Sequence, residues 1–422
     1  MDIDATDRKT QINTQKSACE YLDISLLPST CHSVVLRHPY SVLGYFAWPT
    51  LARIDSGTLA VACSGDRLNH ISPFGQNQLV FSNDEGQTWS CPMLVNDTWL
   101  DDRDAGLLAV SDGRILLSWF STGFDLIERR RHVWEQILSA DEFKLIDAYM
   151  AASTPDPGFG PGSYVRLGSK DGRYWGKAIA VPLSAPHGPI SLRNGNLLYV
   201  GRQREATATA AGKSADWQEW IELCAVEGQP ALPRICAYQS DDCGETWSYL
   251  STISIPDDTD RRNFFEPHAI ELPDGRLLAV LRYEERPGIE SHYPKLCLFT
   301  SFSADGGRTW SAAKYIPQAI GAPGHLTYHS SGALLCSYNE RDYTGPGRRN
   351  LEHVLVSYDD GQTWPLDLIL TQPAFDWDIG YPSTVELNDG SLLTVYYEKA
   401  AINGVQDRLC SVLATRWELP KK

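Results

Sequence analysis

Apolar and polar positions alternate along most of this chain in short runs, and the runs come in pairs joined by a glycine turn. The most complete pair is the stretch 378–398, DIGYPSTVELNDGSLLTVYYE. It has a polar approach, an apolar and β-branched run, a turn at Asn388-Asp389-Gly390 and a second β-prone run from Leu392 to Tyr397. Such runs around an Asp-Gly turn predict a β-hairpin. The same phrase recurs as LARIDSGTLAVAC from 51, LLAVSDGRILLSWF from 107, ISLRNGNLLYVGR from 190, IELPDGRLLAVLR from 270 and LTYHSSGALLCSY from 326. Self-similarity on this scale points to a repeat architecture.

A second motif is interleaved with the first. SNDEGQTW (82–89), SDDCGETW (240–247), SADGGRTW (303–310) and SYDDGQTW (357–364) fit S-x-D-x-G-x-T-W, and SKDGRYW (169–175) is a copy one residue shorter. The Ser and Asp side chains of such a turn hydrogen-bond nearby amides, Gly supplies a positive φ, and Trp packs beneath. These residues are read as structural and carry no chemistry. A glycine-turn hairpin followed by a Trp-box hairpin makes four antiparallel strands per repeat, the pattern of a propeller blade. The expectation is an all-β, six-bladed propeller over 21–422, preceded by a flexible polar arm over 1–20.

Two intervals between turn glycines are longer than the rest and leave room for a seventh blade. In the first, 123–150 has apolar positions at three- and four-residue spacing and predicts a helical insertion, with Arg129, Arg130 and Arg131 on a solvated face. The second, 203–233, is rich in Ala, Gly and charge and predicts a loop or short helix over one face. Closing the ring requires its ends to be tied, so a strand from one terminus is expected to pair into the blade of the other.

The Trp boxes are identified as the Asp-box, or bacterial neuraminidase repeat, of the sialidase superfamily, and the resemblance runs from about residue 33 to 417. It implies a sialidase-type propeller. In the fourth repeat EPHAIELPDGRLLAVLR resembles the family's Glu before the hairpin and Arg after it, at Glu266 and Arg282. In the fifth, Arg349-Asn350 resembles the Arg-Asn pair that leads into the Trp box. In the sixth, Tyr381 and Glu398 match the nucleophilic tyrosine before the hairpin and the Glu after it. Two positions depart from the family. The F-R-I-P phrase of the first repeat reads FAWP, with Ala47 where the arginine belongs, and GDRLNHISPFGQNQ has no convincing acid aspartate; Asp66, Asn69 and His70 are the nearest candidates.

Charge and composition narrow the ligand. A formal net charge of -16 argues against nucleic acid or an anionic membrane as partner, so an acidic ligand must meet a local arginine cluster. Tryptophan (13) and tyrosine (19) are plentiful enough for both blade packing and sugar stacking. The polar N-terminus resembles no signal peptide and no stretch is long enough to span a bilayer, which predicts a cytoplasmic protein. Ten cysteines are scattered without C-x-x-C pairs, so reduced thiols and no structural zinc are expected.

The innermost strands of a propeller line its channel, so the residues just before each glycine-turn hairpin converge. They read FAWPTL, DDRDAGL, APHGPI, FEPHAI, APGHLT and DIGYPSTV, which brings Asp104 or Arg103, His187, Glu266 with His268, His325 and Tyr381 to one axis. Strand ends add Arg67, Arg202, Arg282 and Glu398, and the fifth-repeat loop adds Arg341, Arg348 and Arg349.

The resemblance implies a catalytic pair, with Glu266 taking the proton of Tyr381 so that the phenolate attacks an anomeric carbon, while Arg282 and Arg349 hold a substrate carboxylate. Catalytic candidates are thus Tyr381, Glu266, His187, His268, His325 and Asp104; binding candidates are Arg282, Arg349, Arg67, Arg103, Arg202, Glu398 and Trp48. The expected function is an exo-glycosidase, without cofactor, that hydrolyses a terminal acidic sugar from a glycan. The alternatives are a lyase acting on uronate-containing glycans through the channel histidines, with a pKa suited to neutral pH, and a non-catalytic glycan-binding propeller. Glu266 and the three histidines also suit zinc or manganese as ligand types, though no fixed spacing supports a metal.

Overall fold

The computed structural model describes residues 23–26, 30–129, 131–135, 138–156, 158–203, 233–289, 291–341, 349–402 and 405–421. The expected N-terminal arm, Arg130, Arg348 and nearly all of the 203–233 interval lie outside these. The described chain is an all-β propeller with few helices. All six glycine-turn phrases form antiparallel pairs: Tyr45–Asp55 with Thr58–Arg67, Asp101–Ala109 with Ile115–Thr122, Ile190–Ser191 with Leu197–Gln203, Phe264–Glu271 with Leu277–Glu284, Gly324–Tyr328 with Leu334–Glu340, and Ile379–Glu386 with Leu392–Ile402. At the last turn, Gly390 has φ 82°, a conformation that costs any side chain bearing a Cβ.

The expectation of six or seven separate blades is corrected by the hydrogen bonding. Four sheets of four or five strands stand alone, holding the second to fifth hairpins, and one eight-stranded sheet takes in the first and the last. Val405–Trp417 bridges to the first inner strand at Cys410 and Tyr45, and this fuses the two ends. The same strand accepts Cys31–Leu36 as an antiparallel neighbour, from Cys31 opposite Arg416 to Leu36 opposite Val412. A strand near the N-terminus thus completes the C-terminal repeat, as ring closure demands.

The Trp boxes fasten sheet to sheet as well as closing their own turns. In the first box Ser82 Oγ accepts from Gly86 N at 2.9 Å, and Asp84 Oδ1 accepts from Thr88 N at 2.9 Å. Gly86 sits so close to Leu393 of the last repeat that a Cβ there would lie 2.5 Å from its Cδ2. The box of the fifth repeat approaches Leu278 of the fourth in the same way, at Gly361. Trp417 performs a similar join from the chain's other end. It is 1 % exposed, packs with Leu335 and Val354 of one sheet and Leu392 of another, and donates Nε1–H to Thr394 Oγ1 at 2.9 Å. Trp417→Ala is expected to cost about 3–5 kcal/mol, read as a lower urea midpoint at unchanged slope.

The helical insertion is present as Phe124–Arg129, Arg131–Trp134 and Ala140–Ala152, the last with a capping box between Ser139 and Glu142. Arg129 pairs with Asp125, and Arg131 with Glu128 and Asp147, the solvated face expected of them. The apolar face buries Leu126, Ile127 and Ile146 against Leu68 and Ile71, and so pins the loop that follows the first hairpin. No helix among the described residues is long and apolar enough to cross a membrane.

One backbone device aims side chains at the channel. Four inner strands slip register between Ala47 and Thr50, Arg103 and Gly106, Phe265 and His268, and Gly380 and Ser383. Inside these bulges Trp48, Asp104, Glu266 and Tyr381 take φ of 54°, 50°, 38° and 54°. A non-glycine residue in this region costs about 1–3 kcal/mol and persists where surrounding structure imposes it. The bulge breaks the in-out alternation of the strand at that residue.

Candidate active site

Three strand segments bring together a phenol, a carboxylate and a guanidinium. The bulges present Glu266 and Tyr381, and the strand after the fourth turn ends at Arg282. Tyr381 Oη donates to Glu266 Oε1 at 2.8 Å, Arg282 Nη1 donates to Glu266 Oε2, and the same Nη1 lies 3.3 Å from Tyr381 Oη. Arg282 also donates through Nη2 to Glu284 Oε2 at 2.7 Å, and Arg286 Nη2 lies 3.9 Å from the same oxygen. Arg341 crosses the Tyr381 ring at 5.6 Å, held by its Nε bond of 3.0 Å to the Ile379 carbonyl. Burial pushes the Tyr381 phenol well above its ordinary range, and the negative charge of Glu266 pushes it further, against Arg282 and Arg341.

The triangle forms part of the wall of a cavity of about 580 Å³. Among the described residues six arginines line it, at 103, 202, 262, 282, 286 and 341, against three carboxylates, Asp104, Glu266 and Glu284. In a chain of net charge -16 this is a local excess of positive charge, suited to an acidic ligand. Phe265 is covered by two guanidinium groups, Arg202 at 4.1 Å and Arg286 at 4.2 Å. Trp377 also lines the cavity.

A histidine enters the wall from the loop after the first hairpin. His70 Nδ1 lies 3.1 Å from Asp378 Oδ1, and Asp378 in turn accepts from Tyr397 Oη at 2.9 Å and from Tyr45 Oη at 2.8 Å. Burial works to raise the Asp378 pKa, but His70, Lys399 and Tyr45 together hold it well below the ordinary carboxylate range.

Of the sequence candidates, Tyr381, Glu266, Asp104, Arg282, Arg103 and Arg202 line this cavity, as do His70 and Arg341; His187, His268, His325, Arg349, Arg67, Glu398 and Trp48 do not. Arg67 is fully buried and paired with Asp101 at 2.6 Å. Trp48 is 1 % exposed, packed against the guanidinium groups of Arg103 and Arg67 at 4.3 and 4.8 Å, so it props the site and offers no stacking face. The Arg349 side chain is 55 % exposed and pairs with Glu340 at 3.2 Å; Arg341 occupies the cavity instead. Glu398 lies off the cavity wall, and burial raises its pKa.

The three channel histidines meet one another, with ring centroids 4.3 Å apart for His268 and His325 and 4.8 Å for His187 and His325. They sit off the cavity. His268 Nδ1 accepts from Leu326 N at 3.0 Å, and His325 Nδ1 from Thr384 N at 3.3 Å. Burial lowers all three pKa values, that of His268 to about 3, which corrects the expectation of a donor tuned to neutral pH. No group of three or more His, Cys, Asp or Glu side chains among the described residues is arranged to hold a metal ion. Sequence reasoning passed over Asp378, Arg262 and Arg286. Asp378 opens the DIGY phrase, and its place before an inner strand was the one available signal.

Residues 150–394, more than half of the chain, match the BNR repeat-like domain family. No curated protein matches the chain in sequence. Among solved structures, a protein of unknown function from Dyadobacter fermentans superposes with TM-score 0.67 at 19 % identity, over 93 % of this chain and 100 % of that one. The intramolecular trans-sialidase of Ruminococcus gnavus, in complex with oseltamivir carboxylate, gives 0.56 at 16 %, covering 89 % and 95 %. The NanB sialidase of Streptococcus pneumoniae gives 0.56 at 16 %, covering 92 % and 70 %. At these identities the likeness is one of fold.

Proposed function

Because the chain belongs to the BNR repeat-like family, as a divergent sialidase-superfamily protein, we propose that it is an exo-glycosidase hydrolysing a terminal acidic sugar from a glycan. The observation that carries this reading is the Tyr381–Glu266–Arg282 triangle, with its 2.8 Å phenol-to-carboxylate bond, on the wall of an arginine-rich cavity. In the first step Tyr381 Oη bonds to the anomeric carbon as the bond to the leaving oxygen breaks, and the phenol proton passes to Glu266. Water then displaces the tyrosine, which recovers its proton from Glu266. Arg282 and Arg341 anchor the sugar's acid group, Arg341 replacing Arg349 in that role, and Asp104 stands on the same wall. A binding-only propeller has little use for a phenol and a carboxylate held this way. The elimination route through His187, His268 and His325 lacks the access to the cavity that it needs.

The test is mass spectrometry of products after incubation with a mixed set of sialylated and uronate-containing oligosaccharides, beside Tyr381→Phe and Glu266→Gln controls. Fragments whose summed mass includes one added water, absent from both controls, are the expected result. Fragments lacking that water would make the protein a lyase, and intact substrates with measurable glycan binding would make it a lectin.

A further inference from the structure

The two-step reaction leaves one proton unassigned, the one the leaving oxygen must receive. We propose that His70 supplies it through Nε2, positioned by Asp378; the inference rests on the hydrolase reading above.

Among the described residues His70 is the one histidine on the cavity wall. It stands on the loop where the family resemblance places an acid aspartate and this sequence has none. The other two candidates, Asp66 at the end of the preceding strand and Asn69 on the loop, are turned to different work. Asp66 pairs with His38 at 3.9 Å and binds the Gln78 side chain, away from the wall. Asn69 is 3 % exposed and accepts from the His70 backbone N–H at 2.8 Å.

The ring is held from several sides. Its Nδ1 faces Asp378 Oδ1 at 3.1 Å, and both carboxylate oxygens of Asp378 are further engaged by the phenols of Tyr397 and Tyr45. A carboxylate so placed accepts the Nδ1 proton, fixes the tautomer and leaves Nε2 as the nitrogen that exchanges protons. The His70 carbonyl accepts from Arg103 Nη1 at 2.8 Å and Arg67 Nη2 at 3.0 Å. Trp48 meets the ring edge-on at 5.0 Å, and Trp377 lies at 6.2 Å. Leu68 and Ile71 bury the loop beneath the helical insertion. A surface histidine needs none of this; a proton donor benefits from all of it, because fixed orientation removes the entropy of finding the reactive geometry.

The proton count closes. Protonated His70 gives Nε2–H to the leaving oxygen as the bond from Tyr381 to the sugar forms, then takes a proton from the incoming water as that bond breaks. The pH dependence follows from the groups around the ring: Asp378 and Tyr45 against Nδ1, and Arg103, Arg341 and Arg67 on the other sides. Burial lowers the His70 pKa, Arg103 and Arg341 lower it further, and Asp378 opposes them. The donor form therefore fills as pH falls through that lowered pKa and empties as pH rises, and a bound anionic sugar shifts the balance toward it.

The experiment compares two kinds of probe on the wild-type protein, His70→Gln and Asp378→Asn. One is the aryl glycoside of sialic acid, or of a uronic acid, with an activated phenol that departs without a proton. The other is the same sugar linked to an oligosaccharide, whose alkoxide leaving group needs one. His70→Gln is expected to lose roughly 10²–10⁴-fold on the oligosaccharide and only a few-fold on the aryl glycoside, and to lose the alkaline decline in oligosaccharide cleavage. Asp378→Asn is expected to move that decline to lower pH. Equal losses on both probes, or an unaltered pH profile in His70→Gln, would overturn the assignment. Should the variants misfold, the wild-type rate ratio of the two probes decides: it must change with pH, and a constant ratio rejects His70. Turnover of neither probe by the wild-type protein would reject the hydrolase reading and this inference with it.

Discussion

Tyr381→Phe is expected to abolish turnover, by roughly 10⁴-fold or more, while glycan affinity stays within a few-fold. The substitution removes one oxygen. Arg282 still meets Glu266 and Glu284 in the variant, so the anchoring charge is preserved. Losing the 2.8 Å bond to the Glu266 carboxylate should cost about 1.5–3 kcal/mol of stability, less than the catalytic loss. Burial and Glu266 hold the phenol pKa high, so in the proposed reaction Tyr381 attacks only while Glu266 is taking its proton. Glu266→Gln should therefore also lose activity, by roughly 10²–10⁴-fold, with the larger loss in Tyr381→Phe because that variant has no attacking atom. Steady-state kinetics on the oligosaccharide that the wild-type protein cleaves, with calorimetric titration of the same ligand, separates the two effects. If Tyr381→Phe keeps turnover within ten-fold, Tyr381 is not the nucleophile.

The hairpins and boxes were legible in the sequence because each is a local pattern: an Asp-Gly turn between apolar runs, or an Asp that must reach the amide four residues on. Glu266, Arg282 and Tyr381 were legible for a related reason, since equivalent slots of a repeat converge on one axis. What the pattern did not reveal was depth along that axis. His268 follows Glu266 by two residues on one inner strand, yet Glu266 lines the cavity while His268 stacks on His325 and accepts a backbone N–H. Arg349 and Arg341 were likewise inseparable by spacing. In the structure Arg341 lies across the Tyr381 ring, whereas Arg349 pairs with Glu340. Sheet count was hidden too, because fusion of the first and last repeats rests on one bridge, between Cys410 and Tyr45, that no local motif encodes.

Arg282→Met is expected to be both inactive and destabilised by about 3 kcal/mol, and the deficit should shrink as the pH is lowered. The Arg282 side chain is 8 % exposed and stands between two carboxylates, Glu266 and Glu284. Removing it leaves two negative charges together at a partly buried site, where an unpaired charge costs far more than a pair contributes on the surface. In the native protein burial works to raise the Glu284 pKa, but Arg282, Arg286 and Arg341 overcome it and hold the group below its ordinary value. A carboxyl depressed in this way adds stability above its unfolded pKa and loses it as pH falls through the folded one. Without Arg282 only Arg286 and Arg341 are left to oppose burial, and Glu266 stands beside Glu284 unneutralised, so the folded pKa rises relative to the native protein and the variant gains stability relative to it as protons are supplied. Urea titrations at pH 5 and pH 8 should show a larger gap between native and variant at the higher pH. Arg282→Met/Glu284→Gln should recover part of the lost stability and none of the activity, because the amide relieves the repulsion without restoring the anchor for the sugar's acid group. A double variant no more stable than Arg282→Met would remove the electrostatic explanation and leave packing alone to account for the loss.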